Sequence, residues 1–365
     1  MTNLKGLVIM STKERDQIAV FENIKQKRIT QKEASSILGM SLRQVNRKYK
    51  KYYKSGPNSL IHGNRGRPGN KKITAEKIND ILSILNSNFK GFGPTFAAEK
   101  LLEMYNIKIS NESLRQLMIK YHLWIPKKSK AIKHIWRERK HCVGELIQLD
   151  GSKHIWFNNE YWTLLAFIDD ATSRIMHAEF TREETIESLA ISTKKYLKKH
   201  GRPVKIYTDR GKVFKVNNGI NREETQYQRM LKELNIELMH AYSPQAKGRI
   251  ERLFKTLQDR LVKEFSLQGI CDVENANKYL QTVYVPMHNE KYSIQPLNDV
   301  DLHRSIDGYD INAIFCIKEI RILKDDNTIV HKKRWFQIAK KQSVVLKKGE
   351  KITVLVHFDK TIQLV

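Results

Sequence analysis

The sequence has few cysteines and lacks any long apolar run. Its three cysteines, Cys142, Cys271 and Cys316, stand singly among 365 residues, which argues against a disulfide framework and against a CxxC metal pair. No segment approaches the roughly 18 apolar residues that a membrane span needs, and the first residues lack the apolar core of a signal peptide. The 12 histidines form no cluster typical of a zinc site. We therefore expect a soluble protein of the reducing cytoplasm.

The sequence also has few acidic side chains relative to basic ones. The chain holds 39 Asp and Glu against 66 Lys and Arg, a net charge of +27. Residues 1–140 carry 30 basic and 10 acidic side chains, whereas residues 141–290 carry 22 and 20. Such a basic excess favours nucleic acid as the partner. The length of 365 residues predicts two to four domains at about 100–200 residues each. We expect the first third to bind phosphates and the nearly neutral middle to do the chemistry.

The first third contains helical signals around a tight turn. Thr30 and Glu33 have the spacing of a capping box that opens a helix over residues 31–38, and Ser41 can cap a second helix over 42–53. With Gly39 between them, these segments predict a helix-turn-helix over residues 1–61. The alternative is a plain helical bundle with a basic face. The side chains predicted to contact DNA from the second helix are Arg43, Gln44, Arg47 and Lys48.

A basic segment rich in glycine, arginine and proline follows over residues 62–72. This segment is narrow enough to insert Arg65 and Arg67 into a DNA minor groove. The alternative interpretation is a simple linker. Residues 73–125 predict a second helix-turn-helix, with apolar anchors at Phe96, Leu101, Leu102, Leu114 and Leu117. Residues 126–143 then form a basic connector.

From residue 144 the pattern changes to strands alternating with helices. Strands are predicted near 145–149, 161–168, 174–180, 204–207 and 236–241, and helices near 185–200, 223–234, 249–265 and 273–288. Three acids lie at element ends: Asp150, Asp209 and Glu251. Any one of them alone is more readily a structural residue than a catalytic one. Together they have the hard oxygens that Mg²⁺ prefers, and a pair of such ions supports phosphodiester displacement.

Four ordered motifs, at residues 149–151, 167–174, 207–211 and 243–252, resemble the integrase-core DDE transposases of bacterial insertion sequences. That family is related to the retroviral integrases, and the ISNCY-like group is the nearest match. The resemblance implies an α/β RNase H-like core over residues 144–297. It also implies that Asp150, Asp209 and Glu251 bind two Mg²⁺ or Mn²⁺ ions, that Lys255 contacts DNA, and that Asp169 and Asp170 are scaffold residues.

The segment between Asp209 and Glu251 is a few residues longer than in retroviral integrases, with 217–229 as the extra material. Glu251 is therefore assigned from its motif and not from spacing. Lys247, Arg249 and Lys255 are candidate DNA contacts near it. An ion pair between Lys255 and Glu251, and simple solvation of Arg249, are the competing interpretations.

Residues 312–365 predict five short strands, near 315–323, 328–331, 334–338, 343–346 and 351–356, closed into a small β-barrel. The whole chain is thus expected to be multidomain, with all-α helix-turn-helix modules, an α/β core and this barrel.

The function expected from these features is a DNA transposase. It would bind the terminal inverted repeats of its element as at least a dimer on double-stranded DNA, near the nucleoid. It would then cleave the 3′ ends and join them to target DNA. A DNA-binding regulator that has lost the chemistry is the alternative. A metal-dependent nuclease is a further alternative. It would have the same three acids but would not need the basic residues of the segment 1–140.

Overall fold

The computed structural model describes residues 10–65, 73–126, 137–209, 224–241, 248–339 and 346–365. The chain divides into two compact units, Met1–Ile84 and Leu85–Val365.

The first unit is a helical bundle built by local capping signals. Its helices are α1 (Thr12–Lys25), α2 (Gln31–Leu38) and α3 (Leu42–Ser55), followed by a 3₁₀ turn at Pro57–Leu60. Complete capping boxes open all three helices, at Ser11, Thr30 and Ser41. Gly39 ends α2 at φ +60°, the left-handed region that glycine adopts without a Cβ penalty. Helices therefore form over both predicted segments, around a core of Phe21, Ala34, Val45, Tyr52 and Leu60. That they act as a helix-turn-helix stays a prediction.

Helix α4 (Ala75–Asn88) crosses the boundary between the units. The second unit continues with α5 (Pro94–Tyr105) and α6 (Asn111–Lys120), both within residues 73–125. Four of the five predicted anchors of this pair are buried. Leu102 is the exception, because it is 49% exposed on the outer side of α5.

A five-stranded mixed sheet forms the centre of the second unit, in the order β3-β2-β1-β4-β5. Strand β1 pairs antiparallel with β2 and parallel with β4, and β4 pairs parallel with β5. The bounds are β1 Leu146–Phe157, β2 Glu160–Asp169, β3 Ile175–Thr181, β4 Lys205–Thr208 and β5 Glu237–His240.

Helices cover both faces of this sheet because side chains alternate along each strand. Helices α7 (Ile186–His200) and α8 (Gln226–Glu233) pack on the face that carries Leu149 and Phe167. On the opposite face, which carries Leu164 and Ala166, pack α9 (Gly248–Gln268), α10 (Val273–Tyr279) and α11 (Val285–Tyr292). A π-helical segment, Leu280–Tyr284, joins α10 to α11, so the single helix predicted near 273–288 is interrupted. The α/β architecture of the core is as predicted.

The C-terminal residues follow α12 (Ile311–Ile314) and form two small sheets. Strands β6, β9 and β10 make the first, in the order β10-β9-β6, and β7 and β8 make the second. Their bounds are β6 Ile317–Ile322, β7 Thr328–His331, β8 Arg334–Gln337, β9 Lys351–Val356 and β10 Ile362–Leu364. The described residues thus contain no closed barrel. The strand predicted near 343–346 falls almost wholly outside them, and β10, which is not one of the five strands predicted for the barrel, pairs with β9.

Among the described helices, none combines the length and the hydropathy needed to cross a bilayer.

Candidate active site

Asp150 lies inside β1 and not at the end of a strand as the sequence pattern predicted. The antiparallel pairing of β1 with β2 continues as far as Phe157 opposite Glu160. The parallel pairing with β4, by contrast, stops at Gln148 opposite Tyr207. Asp150 therefore follows the point where β1 loses β4 as a neighbour. The predicted end of the strand was wrong because pairing with β2 extends β1 beyond Asp150.

The side chain of Asp150 belongs to the face of the sheet that α9 covers. On either side of it along that face, Gln148 Oε1 accepts a hydrogen bond from the Ile250 N–H at 3.3 Å, and Ser152 Oγ accepts one from Gln258 Nε2 at 2.9 Å. Because alternate side chains of a strand share a face, half-buried Asp150 projects between these two anchors.

Asp209 comes directly after β4 and is exposed. Continuing the observed register of Gln148 opposite Tyr207 by two residues brings Asp209 opposite Asp150. Neighbouring strands are about 4.8 Å apart, so this register is compatible with one ion between two carboxylates. His240 and Thr208 hold the strand end, because His240 Nδ1 and Thr208 Oγ1 lie 3.2 and 3.1 Å from the Asp209 carbonyl oxygen.

Glu251 lies in the first turn of α9, directly after Ile250, and its side chain is exposed. The hydrogen bond from Ile250 to Gln148 brings this turn next to β1, two residues from Asp150. Lys255 follows one turn later and is also exposed. Within the described residues, no ion pair joins Lys255 to Glu251.

The three acids do not form a preassembled metal cluster. Among the residues that the structure describes, no group of three or more His, Cys, Asp or Glu is arranged to hold a metal ion. Residues 210–223 and 242–247, which adjoin Asp209 and precede Glu251, lie outside the described part. The structure thus places Asp150 two residues beyond the last paired position of β1 with β4, Asp209 directly after β4, and Glu251 on the adjacent helix.

Asp169 and Asp170 are fully buried and have structural partners. The Asp169 carboxylate accepts hydrogen bonds from Gly144 N at 3.1 Å and from Thr172 N and Oγ1 at 2.9 and 2.6 Å. Burial raises the pKa of Asp169 above its usual value, against the opposing effect of those hydrogen bonds. These contacts fit the scaffold role that the family resemblance implies.

Asp170 connects α9 to the connector and to β1. Its Oδ1 accepts from Gln148 Nε2 at 2.6 Å and from Arg249 Nη1 at 2.7 Å, and also pairs with the guanidinium of Arg137. Its Oδ2 accepts from the backbone N–H of Lys140 at 2.9 Å. Sequence reasoning missed this network, because a double aspartate after an apolar run gives no signal for partners 79 residues away.

Arg249, predicted as a DNA contact, has only 15% of its side chain exposed, because it is bound to Asp170. Its Nη2 also donates to the carbonyl oxygen of Arg137 at 2.6 Å. The visible role of Arg249 is therefore to fix the start of α9.

The residues predicted to bind DNA from α3 differ in their surroundings. Arg43 and Arg47 are exposed. Gln44 accepts a hydrogen bond from the Ser41 N–H at 3.2 Å as part of the capping box. Lys48 donates to Gln17 Oε1 at 2.8 Å, which links α3 to α1. Arg43 and Arg47 are thus the two of these four that are exposed and make no side-chain hydrogen bond to a described residue.

Arg65 does not extend as a free arm. Its Nη2 lies 2.6 Å from both carboxylate oxygens of Glu14 in α1, and 39% of its side chain is exposed. Arg67 and Lys247, the two other predicted DNA contacts, lie outside the described residues.

Two named relatives extend over most of the chain. A protein of Sinorhizobium fredii that carries the name of a transposase, y4bF, is 39% identical over 306 residues, which cover 82% of this chain and 67% of that protein. The transposase for insertion sequence IS1202 of Streptococcus pneumoniae is 31% identical over 319 residues, which cover 76% of this chain and 68% of that protein. No protein-family model matches the chain.

Similar solved structures come from retroviral integration complexes. One is a chain of the simian T-cell lymphotropic virus intasome in complex with the PP2A regulatory subunit B56 gamma, with a TM-score of 0.37, 16% identity and coverage of 73% of this chain and 95% of that chain. Another is the catalytic core domain of HTLV-2 integrase in complex with magnesium, with a TM-score of 0.31, 15% identity and coverage of 38% and 85%.

Proposed function

The chain belongs to the transposases of bacterial insertion sequences, and we propose that it cuts DNA at the ends of its element and joins those ends to a target. In the first step, water attacks a phosphodiester at the element end, which leaves a 3′-hydroxyl and a 5′-phosphate. In the second, that 3′-hydroxyl attacks a target phosphodiester and displaces a target 3′-hydroxyl. Two ends must be held together, so the acting form is at least a dimer on DNA, in the cytoplasm near the nucleoid.

The first unit is proposed to recognise the terminal inverted repeats. Helix α3 follows the tight turn at Gly39 and carries the exposed Arg43 and Arg47. A second helix after such a turn enters the major groove in helix-turn-helix proteins, with its early residues against base edges. Arginine there binds guanine by two parallel hydrogen bonds.

The observation that carries the catalytic proposal is the register between β1 and β4. It supports Asp150 and Asp209 as joint ligands of a divalent cation, with Glu251 completing an RNase H-like site from α9. Carboxylate oxygens at this strand edge fit Mg²⁺ or Mn²⁺, because these hard cations take oxygen ligands and keep positions for water and phosphate. When bound, two such ions would activate the attacking oxygen and stabilise the leaving oxygen.

The surrounding side chains are proposed to position these acids. Gln148 donates to Asp170 and accepts from the first turn of α9, so it keeps β1 and α9 in a fixed relation. Lys255, exposed one turn after Glu251, is proposed to bind a phosphate oxygen of the DNA strand being cut.

The test compares wild-type protein with Asp209→Asn on labelled element-end DNA, with Mg²⁺ or Mn²⁺ added. Cleaved and joined products should fall by at least about 100-fold in the variant, because even the outer partners of metal ligands are worth about 10–100-fold. DNA binding without metal should stay unchanged. The matched control is Asp299→Asn, an exposed aspartate away from the sheet edge, which should retain activity.

Undiminished joining by Asp209→Asn would refute the metal-site assignment. If the wild-type protein binds the element ends and never cleaves them with either metal, the chain instead acts as a DNA-binding regulator derived from a transposase.

A further inference from the structure

A cavity of about 220 Å³ lies beside the first two turns of α9, on the helix face next to the one that carries Glu251. Its polar lining consists of Arg139, Ser173, Arg249, Arg252, Thr256 and His288. None of the described residues that line it is acidic. The volume corresponds to roughly seven waters at about 30 Å³ each, which is room for a phosphate group.

The cavity has an excess of positive charge. Arg139, Arg249 and Arg252 contribute three guanidinium groups to its wall, and Arg137 lies just behind Arg249. The carboxylate seen within this group is Asp170, which is fully buried and already shared by Arg137 and Arg249. An anion bound here would relieve the repulsion among these guanidinium groups.

The wall also offers hydrogen-bond donors. Arg139 bonds to Ser173 Oγ at 2.7 Å and to the carbonyl oxygens of Asp170 and Ala171, and all three bonds start from its Nη1. Its Nε and Nη2 groups donate to none of the described residues, so they can donate to a ligand. His288 is only 5% exposed, and its Nδ1 has no hydrogen-bond partner among the described residues. Burial, with Arg260 nearby, lowers the pKa of His288 to about 4, so a neutral ring at pH 7 can donate one hydrogen bond without adding charge.

We propose that this cavity binds a backbone phosphate of DNA. Guanidinium groups suit phosphate because their paired N–H groups match two phosphate oxygens. The hydroxyl of Ser173 accepts from Arg139 and can donate its own proton to a ligand. The assignment deepens the proposed function and rests on it only in naming DNA as the source of the phosphate. Arg249, Arg252 and Thr256 recur at helical spacing on one face of α9, while Glu251 and Lys255 lie on the adjacent face. A phosphate held here fixes the position of the DNA backbone relative to Glu251.

The experiment measures binding of duplex DNA without metal over a range of salt concentrations, for wild type, Arg252→Gln and Arg252→Lys. Arg252 is exposed and is not among the buried residues of α9, and the melting temperature of each variant checks that it folds. Loss of one phosphate contact should weaken binding equally for all DNA sequences and reduce the slope of log K against log salt by about 0.9. The Lys variant should keep most of the slope. The matched control is Arg182→Gln, an exposed arginine paired with Glu160, which should leave the slope unchanged.

An unchanged slope in Arg252→Gln, or an equal change in Arg182→Gln, would overturn the proposal. Inorganic phosphate distinguishes the sources. If it raises the melting temperature of wild type more than that of Arg252→Gln while the DNA slope of the variant is normal, the cavity binds a free phosphate ion and the assignment to DNA is wrong.

Failure of the proposed function looks different. In that case Asp209→Asn would retain metal-dependent joining, while Arg252→Gln would still show the reduced slope.

Discussion

Asp170 receives hydrogen bonds from three separate parts of the chain: the connector, β1 and the start of α9. A fully buried carboxylate is costly unless several donors replace its water, and here two guanidinium groups, one amide and one backbone N–H do so. The same contacts determine where α9 begins relative to β1. At the scale of single residues, a fully buried acid of the core therefore fixes its geometry.

Replacing Asp170 by Asn should lower the free energy of unfolding by about 3–5 kcal/mol, because two arginines then lose the buried charge that neutralises them. Urea denaturation of the full chain measures this change. The control is Asp259→Asn, an exposed acid of α9 that pairs with Lys263 and should cost at most about 1 kcal/mol. Equal losses for the two variants would contradict a special role for Asp170.

The contact between Glu14 and Arg65 gives a prediction on pH. The Ser11 N–H and the Arg65 guanidinium lower the pKa of Glu14 from 4.5 to about 2. Because the folded pKa is lowered, these contacts stabilise the first unit above about pH 4.5, and that stabilisation is lost as the pH falls towards 2. Arg65→Gln should raise the pKa of Glu14 but leave it below 4.5, since the capping N–H remains. Carboxyl NMR titration checks this, with Arg15→Gln as the control. An unshifted titration would count against the contact.

At the scale of elements, α5 is docked on α9 by charged side chains. Lys100 Nζ lies 2.7 Å from Glu264 Oε1, with 5% and 1% of the two side chains exposed. Glu99 adds contacts to Arg260 and Lys291 at 2.6 and 2.7 Å. Burial is the largest single effect on the pKa of Lys100 and lowers it, but Glu103 and Glu264 together outweigh burial, so the pKa of Lys100 is raised and its ammonium stays charged. Part of the predicted second helix-turn-helix is thus packed against the helix that carries Glu251.

Lys100→Ala should destabilise the second unit by about 3–5 kcal/mol, because Glu264 is left buried without its partner. The double variant Lys100→Met, Glu264→Leu should recover most of this loss, since an apolar pair of similar volume can replace a buried ion pair. Chemical denaturation followed by tryptophan fluorescence measures both. If the double variant were less stable than the single one, the ion pair itself would be the stabilising element.

The helices of the first unit could be predicted closely because their ends depend on local signals. Ser and Thr caps with Glu or Gln three residues later open α2 and α3 at the expected residues. The length of β1 could not be predicted in this way. Its second half is a strand because it pairs with β2, and local sequence signals do not show that pairing. The hydrogen bonds to Asp170 could not be predicted either, because secondary-structure propensity carries no information on residues that are distant in the sequence.

The C-terminal strands show the same limit. Most of their positions followed from alternation of apolar residues, but alternation does not say which strands pair. The described strands therefore form two separate sheets where a closed barrel was expected. In the helix near 273–288, Pro286 lacks the N–H needed for a regular turn, and the π-helical segment lies directly before it.

At the scale of the whole molecule, a net charge of +27 makes binding to DNA strongly dependent on salt. With about 6–10 phosphate contacts, affinity for non-specific duplex DNA should fall by about 10³- to 10⁵-fold between 50 and 200 mM salt. A filter-binding or anisotropy titration measures this fall. A loss of less than tenfold would mean that the basic residues serve another purpose than binding DNA.

Strand β1 continues for several residues beyond the end of β4, its parallel neighbour. After Gln148 the backbone of β1 therefore no longer pairs with β4. The carboxyl end of β4 thus lies beside the middle of β1, and the carboxyl ends of parallel strands are where open α/β sheets take up ligands. A change that lengthened the parallel pairing would therefore fill the position that Asp150 and Asp209 are proposed to share.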